Sequence, residues 1–383
     1  MPIRPALLKT LVLTTLAASG AACAAPDAAP SAPEAKSTPA PRTSPSASDY
    51  LSRQEVRAYL KTVSEQYGIP LEWLETEIAV ARYSPLTERY MTPKPKANKK
   101  TTPDRNYLLY QRNLVNEERI ARGADFLKRH AETFARVEAQ TGVSRYAVAA
   151  VIGVETIYGK NMGRFRVLDA LVTLSFDYTR RAKYYRTELG AFFDFCWRQK
   201  LSPVTVLGSF AGAMGLGQFM PSSLDAYGVD GDGDGRIDIV ESEEDGIASV
   251  ANFLQAHGWA RGIPPLYPAA ASRDIFAATG SGGITAHTTA GSLIKAGVKP
   301  EGDFPLRDDE PALLVDLPWI RADNTRGTHW YIGTRSFAAI LRYNRSYFYA
   351  AAVSQLADRI MEREAQLAAA ERTEPRAADA TKN

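Results

Sequence analysis

The sequence has few of the side chains that cross-link a fold or hold a transition metal. Cysteine occurs 2 times, as Cys23 and Cys196, which excludes a disulfide framework. The 4 histidines are far apart and form no HExxH array, which excludes a zinc peptidase of that class. The net positive charge is also small, because 46 Lys and Arg residues are balanced by 43 Asp and Glu residues, which leaves only +3. We therefore expect no nucleic-acid partner, since such proteins normally carry a strong basic excess.

A long hydrophobic run is lacking as well, and the apolar segment near the N-terminus is short. Arg4 and Lys9 precede the run LVLTTLAA, which is followed by small residues. This arrangement is typical of a secretory signal peptide, and the run is too short to span a bilayer. We assign residues 1–23 to an export signal and expect the chain to act in the periplasm.

Two ways of processing this signal remain open at Cys23. The sequence GAAC at residues 20–23 resembles the lipobox of bacterial lipoproteins, in which the cysteine is acylated, although Gly20 replaces the usual large aliphatic residue. A lipidated Cys23 would anchor the chain to the outer membrane, and this anchor would be its only contact with a membrane. The alternative is cleavage at the A-x-A site at residues 22–24, which would release a soluble periplasmic protein.

Both ends of the chain and one loop are predicted to lie outside the folded part. Residues 24–48 are rich in proline, alanine and serine and contain no large apolar side chain, so burial cannot offset their entropy of folding. We interpret them as a disordered linker, and residues 369–383 as a polar tail. Residues 92–104 form a basic loop, which is either solvated or in contact with an anionic polymer.

Residues 49–368 are predicted to form one catalytic domain that is mainly α, in the α+β class. Apolar residues at Val56, Tyr59, Leu60 and Val63 have helical spacing, and Gly68 ends that helix. A small mixed or β subdomain is expected at about residues 265–335, where the composition changes to Gly, Thr and Pro. Further helices are predicted at Ala121–Gln140 and Ser144–Tyr158, and strands at Ala312–Leu317 and Thr328–Thr334.

Glu155 is the main catalytic candidate. It directly follows the apolar run AVAAVIGV at residues 147–154. A helix that is apolar on all sides is normally buried, so a glutamate at its end would be partly desolvated. Desolvation raises the pKa of a carboxyl group, which lets it serve as a general acid near neutral pH. The alternative is that Glu155 has only a structural role, in an ion pair with Arg164 or Arg166.

Three further segments contain groups suited to binding a sugar polymer. Residues 208–223, GSFAGAMGLGQFMPSS, are rich in glycine, so their backbone can approach a ligand or, alternatively, another helix closely. Residues 176–195 and 343–349 mix arginine with tyrosine. Aromatic faces stack on sugar rings and arginine binds carboxylates, although such stripes also occur in protein cores. The groups concerned are Ser209, Gln218, Arg180, Arg181, Tyr184, Tyr343 and Asn344.

These motifs together resemble the lytic murein transglycosylase B family. The runs GVETIYGKNMGRFRVLDALVTLSFDYTRRAKYY, GSFAGAMGLGQFMPSS, GIASVANFLQAHGW and RYNRS follow one another in the family's order, and the resemblance covers about residues 50–360. It implies a lysozyme-like catalytic core with an N-terminal α subdomain and a small β subdomain. It also implies cleavage of the β-1,4 bond between N-acetylmuramic acid and N-acetylglucosamine in the glycan strands of peptidoglycan.

The resemblance further implies roles for single residues. Glu155 matches the family's one catalytic glutamate, which protonates the leaving oxygen and then takes the proton of the muramyl C6 hydroxyl, giving a 1,6-anhydro product without water. The implied substrate-binding residues are Ser209, Gln218, Arg180, Arg181, Tyr343, Asn344, Tyr349 and Tyr110.

The residues themselves agree with a mechanism that uses a single catalytic carboxylate. Ordinary glycosidases use two, and the glycine-rich segment contains no second acid, although Asp169 or Asp177 could fold nearby. With one glutamate, the N-acetyl group of the substrate would assist, and the same side chain would act as acid and then base. Two alternatives stay open: a hydrolysing muramidase, and a non-catalytic peptidoglycan-binding or Ca2+-dependent scaffold protein.

Residues 230–241, DGDGDGRIDIVE, match the calcium-binding loop of an EF-hand at every position. The ligands predicted by this match are Asp230, Asp232, Asp234, the Arg236 carbonyl, Asp238 and Glu241. The resembled family also binds Ca2+ here, and its last ligand matches Asp245, so Glu241 and Asp245 compete for the closing position. We expect a structural Ca2+ and no organic cofactor, the alternative being a solvated acidic turn. Protein partners are not assigned from the sequence.

Overall fold

The computed structural model describes residues 49–93, 105–280 and 282–373. The predicted export signal at 1–23 with Cys23, and the linker at 24–48, lie outside the described residues, as do most of the basic loop and the end of the polar tail. The helices are α1 Asp49–Ser52, α2 Gln54–Tyr67, α3 Leu71–Ala79, α4 Pro85–Met91, α5 Tyr107–Leu114, α6 Glu117–Arg129, α7 Ala131–Thr141, α8 Arg145–Thr156, α9 Val167–Phe176, α10 Ala182–Gln199, α11 Pro221–Tyr227, α12 Glu243–Ala256, α13 Arg273–Ala278, α14 Ala290–Lys295, α15 Arg335–Tyr343 and α16 Tyr347–Thr373. The strands are β1 Phe165–Arg166, β2 Leu207–Gly208, β3 Leu266–Ala270, β4 Thr288–Thr289, β5 Lys299–Pro300, β6 Pro311–Ile320 and β7 Arg326–Gly333.

Helix α8 lies inside the helical part of the protein, as its apolar sequence predicts. All of its side chains from Ala147 to Gly153 are buried. It packs against α6, α12 and α16, so neighbours cover it on several sides. The apolar helix α9 is covered in the same way by α10. Glu155 therefore stands at the point where a fully enclosed helix ends.

Glycine ends the helices where the sequence places it, but one predicted helix is wrong. Gly68 and Gly142 follow α2 and α7 in the left-handed conformation, with φ of 70° and 73°. The single helix predicted at Ala121–Gln140 is divided at His130 into α6 and α7. The His130 ring lies 3.1 Å from the Glu244 carboxylate of α12, a contact across the fold that no local pattern could indicate.

The β subdomain is an antiparallel sheet of five strands in the order β4-β6-β7-β3-β5. Its main hairpin pairs β6 with β7 from Leu313 opposite Gly333 to Ile320 opposite Arg326. Both strands predicted from the sequence are present, each a few residues longer or shifted by one or two. The mainly α fold with a small β subdomain is therefore confirmed.

Strand β6 is buried on both faces. Leu313 and Val315 belong to the main core, whereas Ala312 and Leu314 belong to a smaller core within the sheet. Because successive side chains of a strand point to opposite faces, this one strand joins the two cores.

The last helix, α16, continues to Thr373 and so extends into the tail predicted at 369–383. It begins at Tyr347, next to the end of α15, and packs against α8. Among the described residues, no helix is both long enough and apolar enough to cross a membrane.

Candidate active site

Glu155 lies in the last turn of α8 and is partly exposed, while Gly153 and Thr156 on either side are buried. Burial raises the pKa of its carboxyl group to about 7, and a hydrogen bond from Tyr349 opposes part of this rise. A carboxyl group with this pKa is protonated in a substantial fraction of molecules at neutral pH. It can therefore donate a proton and later accept one, as a general acid–base catalyst must.

Two tyrosines from the C-terminal helices approach Glu155. Tyr349 at the start of α16 is buried, and its hydroxyl donates a hydrogen bond of 2.5 Å to Glu155 Oε1. Tyr343 at the end of α15 donates one of 2.5 Å to the Gly217 carbonyl. Burial, and then the nearby Glu155 carboxylate, raise the pKa of both tyrosines well above the ordinary value. Tyr110 of α5 is close enough to raise the pKa of Tyr349 further.

The glycine-rich segment is attached to the end of α8. The buried Thr156 hydroxyl donates a hydrogen bond of 2.9 Å to the Leu216 carbonyl. A β-carbon placed on Gly217 would lie only 2.7 Å from the Tyr343 hydroxyl, so glycine is needed for the two to meet. Tight packing therefore accounts for Gly217, and this packing fixes the segment beside Glu155.

Ser209 and Gln218 stand at the two ends of this segment, and both are partly exposed. Ser209 Oγ accepts a hydrogen bond of 3.0 Å from the Ala213 N–H. The Gln218 side-chain amide donates bonds of 3.1 and 3.0 Å to the carbonyls of Met162 and Gly215. These hydrogen bonds occupy the hydroxyl oxygen of Ser209 and the amide N–H groups of Gln218. The hydroxyl proton of Ser209 and the amide oxygen of Gln218 are therefore the groups that can form hydrogen bonds with a sugar.

Other predicted binding residues lie at more exposed positions. Arg180 and Arg181 precede α10 and are both exposed, and the Arg181 guanidinium lies 4.3 Å from the centre of the Tyr184 ring. Asn344 is exposed directly after Tyr343. Within the described residues, no hydrogen bond, ion pair or ring contact joins these four to Glu155. The structure thus brings Tyr343, Tyr349 and the glycine-rich segment together at Glu155, and leaves Arg180, Arg181, Tyr184 and Asn344 outside its contacts.

The alternative partners of Glu155 are engaged elsewhere. Asp169 accepts a hydrogen bond of 2.9 Å from the Arg82 N–H and lies 3.5 Å from the Arg166 guanidinium. Asp177 accepts a hydrogen bond of 2.5 Å from Tyr50. Neither aspartate affects the pKa of Glu155, for which only burial and Tyr349 matter. Among the described residues no ion pair joins Glu155 to Arg164 or Arg166, so that alternative is wrong, and a single carboxylate occupies this site.

The way in which α8 ends after Glu155 is not indicated by the sequence. Ile157 and Tyr158 both have left-handed backbone angles, with φ of 53° and 54°. This conformation is costly for bulky and β-branched residues and is found where surrounding contacts enforce it. The Tyr158 hydroxyl donates a hydrogen bond of 3.0 Å to the Arg119 carbonyl, which holds the turn. Gly159 was the one local signal of a helix end there, and it gives no hint of strain.

The acidic loop predicted to bind calcium brings three carboxylates together. Oxygen atoms of Asp230, Asp232 and Asp245 all lie within 4.8 Å of one another. Asp245, in the first turn of α12, is buried, and its oxygens accept bonds of 2.7 and 2.6 Å from the N–H groups of Gly231 and Asp238. Burial raises the pKa of its carboxyl group, and the Asp232 carboxylate adds to the rise. Three acids this close fit the oxygen-rich shell of Ca2+.

The remaining members of the predicted set differ in position. Glu241 is exposed and lies outside the cluster of three, so Asp245 is the better candidate to close the site. The side chains of Asp234 and Asp238 cap their own loop, where they accept bonds of 2.8 and 3.1 Å from the N–H groups of Arg236 and Val240. The aspartates that the motif requires therefore also hold the backbone of the loop in its conformation.

The acidic loop is also connected to the active site. The Leu216 N–H donates a hydrogen bond of 3.2 Å to the Ile239 carbonyl in this loop. A cavity of about 510 Å³ lies between the loop and the turn after Glu155, and its walls include Tyr158, Met162 and Glu241. Leu216 therefore links the two regions: its N–H bonds to the acidic loop, and its carbonyl accepts the bond from Thr156.

Several lytic transglycosylases are similar to this chain in sequence and fold. The sequence pattern of the transglycosylase SLT domain family matches residues 52–358. Membrane-bound lytic murein transglycosylase B of Escherichia coli (strain K12) is 32% identical over 318 residues, 80% of this chain and 83% of that protein. The catenated lytic transglycosylase SltB1 of Pseudomonas aeruginosa has a TM-score of 0.74 at 34% identity, covering 82% of this chain and 100% of SltB1. The Escherichia coli lytic transglycosylase Slt35, solved in complex with calcium, has a TM-score of 0.70 at 31% identity, covering 83% and 96%.

Proposed function

The chain belongs to the transglycosylase SLT family, and we propose that it uses Glu155 to cleave the β-1,4 bond between N-acetylmuramic acid and N-acetylglucosamine. The resemblance seen in the motifs is confirmed, and the protein is a lytic murein transglycosylase with a lysozyme-like fold that acts on the glycan strands of peptidoglycan. The observation that supports the role of Glu155 is its partly buried carboxyl group, with a pKa of about 7, beside the Tyr349 hydroxyl.

In the proposed first step, protonated Glu155 donates its proton to the glycosidic oxygen as the bond to the muramyl C1 atom breaks. The N-acetyl group of the same sugar stabilises the positive charge that develops at C1, so no second carboxylate is required. Glu155 becomes a carboxylate in this step. The hydrogen bond from Tyr349 favours that charged form, which offsets part of the cost of burying it.

In the second step, the Glu155 carboxylate accepts the proton of the muramyl C6 hydroxyl. The C6 oxygen then attacks C1 and closes the 1,6-anhydro ring, which returns Glu155 to its protonated form without water. Because Ser209 offers a hydroxyl proton and Gln218 an amide oxygen, we assign them to hydrogen bonding with the sugar. Arg180, Arg181, Tyr184, Tyr110, Tyr343 and Asn344 complete the proposed substrate-binding set.

Mass spectrometry of the products from purified peptidoglycan tests this reaction. We expect 1,6-anhydro ends, which are one water lighter than the reducing ends made by a hydrolysing muramidase. Reducing ends alone would refute the anhydro mechanism. Release of no fragments would instead favour a scaffold that only binds the polymer.

We propose that the acidic loop binds one structural Ca2+. Asp230, Asp232 and Asp245 would hold it, with Asp234, the Arg236 carbonyl and Asp238 completing the loop. The bound ion would supply positive charge that relieves the repulsion among the clustered carboxylates. The related Slt35 was solved with calcium, which supports this choice of ion.

The cellular location is a further proposal. We place the protein in the periplasm, anchored to the outer membrane through a lipid on Cys23, and the related transglycosylase B is named as membrane-bound. Metabolic labelling with a palmitate analogue should mark the wild-type chain and not the Cys23→Ala variant. Labelling of neither chain would favour the soluble alternative.

A further inference from the structure

The left-handed turn after Glu155 is held from the neighbouring helix α6. Tyr158, the second residue of this turn, is buried, and the centre of its ring lies 5.3 Å from that of Phe126 in α6. Its hydroxyl donates the 3.0 Å hydrogen bond to the Arg119 carbonyl. The Arg119 side chain in turn donates a hydrogen bond of 3.0 Å from Nε to the Gly153 carbonyl of α8. One residue of α6 is therefore bonded to the chain on both sides of Glu155.

Two glycines make room for the Tyr158 hydroxyl. A β-carbon placed on Gly153 would lie 2.4 Å from the hydroxyl oxygen, and one placed on Gly123 of α6 would lie 2.5 Å from it. Both distances are far shorter than a normal contact, so a larger residue at either position would push the ring out of its place. Glycine destabilises the interior of a helix. Both α6 and α8 therefore give up stability at the point where Tyr158 packs between them.

Gly123 also connects this turn with the helix that carries Tyr349. A β-carbon at this position would lie 2.7 Å from the side chain of Ile360 in α16. Ile360 is fully buried and stands about three helical turns after Tyr349. The same stretch of α6 thus contacts the helix that carries the Tyr349 hydroxyl and the turn that follows Glu155.

Strain in the turn makes the contacts of Tyr158 necessary. Ile157 and Tyr158 both have positive φ, which a β-branched residue such as Ile157 rarely adopts. A turn of this kind persists only when its surroundings enforce it, and the packing and hydrogen bond of Tyr158 do so on the side of α6. Without the hydrogen bond we expect the last turn of α8 to loosen, which would let the Glu155 carboxyl turn toward water.

We propose that Tyr158 is a positioning residue for the reaction, which keeps the Glu155 carboxyl out of water and directed at the Tyr349 hydroxyl. This proposal rests on the proposed function, because it assumes that Glu155 is the acid. Among the described residues, the titratable side chains that approach this end of α8 from neighbouring helices are Tyr349 of α16, Tyr343 of α15 and Arg119 of α6. None of them is altered in Tyr158→Phe, so a change in the titration of Glu155 in that variant reports its position.

The first test is the pH profile of Tyr158→Phe, which lacks the hydroxyl and keeps the ring. A Glu155 carboxyl that reaches water has a pKa closer to its ordinary value of 4.5 and below the present value of about 7. The basic limb of kcat/KM on glycan strands should therefore move to lower pH by about one pH unit, with kcat at pH 7 about tenfold lower and KM little changed. A variant that is merely less stable would lose activity without moving the limb.

Tyr146→Phe is the matched control for this test. Tyr146 stands at the other end of α8, and its hydroxyl donates a hydrogen bond of 2.5 Å to Glu364 of α16. The control makes the same chemical change on the same helix, so its Tm should fall by a similar amount, whereas its pH profile should match wild type. A limb that stays in place in Tyr158→Phe, that moves to higher pH, or that moves equally in both variants would overturn the proposal.

The second test follows the Glu155 proton without catalysis. The difference in unfolding free energy between wild type and Glu155→Gln changes between pH 4 and pH 9, because the carboxyl group titrates and the amide does not. Urea unfolding of Tyr158→Phe and Tyr158→Phe/Glu155→Gln should show this change reduced by roughly two fifths, the share of one pH unit in the rise from 4.5 to about 7. An unreduced change would contradict the proposal. Failure of the proposed function would appear differently, as turnover retained by Glu155→Gln.

Discussion

At the level of single residues, the proton carried by Glu155 determines what the site can do. Replacing it with glutamine in Glu155→Gln keeps the shape but removes the transferable proton, so we expect turnover to fall by about 10³-fold or more. Binding of glycan strands, measured by calorimetry, should be largely retained. The control Asp169→Asn changes a carboxylate that contacts Arg82 and Arg166 instead, and it should keep most of its activity. Substantial turnover by Glu155→Gln would remove this glutamate from the mechanism.

The same proton makes stability depend on pH. The pKa of Glu155 is about 7 in the folded protein, above its ordinary value of 4.5, so the folded state binds the proton more tightly. Its favourable contribution is complete below pH 4.5 and is lost as pH rises through 7. At pH 9, Glu155→Gln should therefore be more stable than wild type by about 3 kcal/mol, and near pH 4 the difference should vanish. Urea unfolding at both pH values measures this, and a difference that does not change with pH would contradict it.

The Tyr349 hydroxyl tunes this proton. In Tyr349→Phe the carboxylate loses its hydrogen bond, so the pKa of Glu155 should rise above its present value of about 7. The basic limb of the pH profile of kcat/KM should move to higher pH, and the maximal rate should fall. Tyr343→Phe, which loses a bond to the Gly217 carbonyl instead, should lower activity without moving the limb. A limb that stays in place in Tyr349→Phe would show that the hydroxyl does not tune the acid.

The catalytic role of Glu155 could be predicted from the sequence because the residues that bury it include those directly before it in the chain. The apolar run before it is enough to predict burial and a raised pKa. Tyr349 could not be found in this way, since it stands 194 positions further along the chain and meets Glu155 only in the fold. The mixture of tyrosine and arginine at 343–349 indicates a binding segment, but only the family resemblance implies that Tyr349 itself binds substrate.

At the level of elements, the acidic loop offers a direct comparison of two candidate ligands. Asp245 lies in the carboxylate cluster and Glu241 outside it. We expect Ca2+ to raise the Tm of wild type and of Glu241→Gln alike, by several degrees, and to leave that of Asp245→Asn nearly unchanged. Thermal scans with Ca2+ and with chelator measure the difference. The opposite ranking of the two variants would assign the closing position to Glu241.

The elements also differ in how far local sequence determined them. The loop at 230–241 could be predicted from sequence because its aspartates accept hydrogen bonds from nearby backbone N–H groups, as Asp234 does from Arg236. The break at His130 could not be predicted in this way, because the contact of its ring is with Glu244 of α12, 114 positions further along the chain. Helix periodicity is similar on both sides of that break, so pattern alone predicts one helix.

At the level of the whole molecule, β6 joins the sheet to the helical core. Leu313 faces the main core and Leu314 the core of the sheet, and both are fully buried. Leu313→Ala and Leu314→Ala make the same chemical change on opposite faces, and each should cost about 2–4 kcal/mol. Calorimetry should show one unfolding transition in both variants, at lower temperature. A separate early transition in Leu314→Ala alone would mean that the sheet unfolds by itself.

The overall architecture was predictable because composition changes where the sheet begins and ends. The continuous apolar run in β6 predicts a strand, but it cannot tell which side chains face which core. That assignment depends on the pairing of Leu313 with Gly333 and on the helices beyond it. The order of strands in the sheet could likewise not be predicted, since β3 pairs with β7, which lies about sixty residues further along the chain.

The contact between Glu155 and Tyr349 has a consequence for the timing of activity. A chain is synthesised from its N-terminus, so the segment with Glu155 is made long before the segment with Tyr349. Until α16 packs against α8, the Tyr349 hydroxyl does not reach Glu155 and the enclosed environment that raises the pKa of this glutamate is incomplete. We therefore expect the nascent chain to lack activity on peptidoglycan until its last described helix is in place.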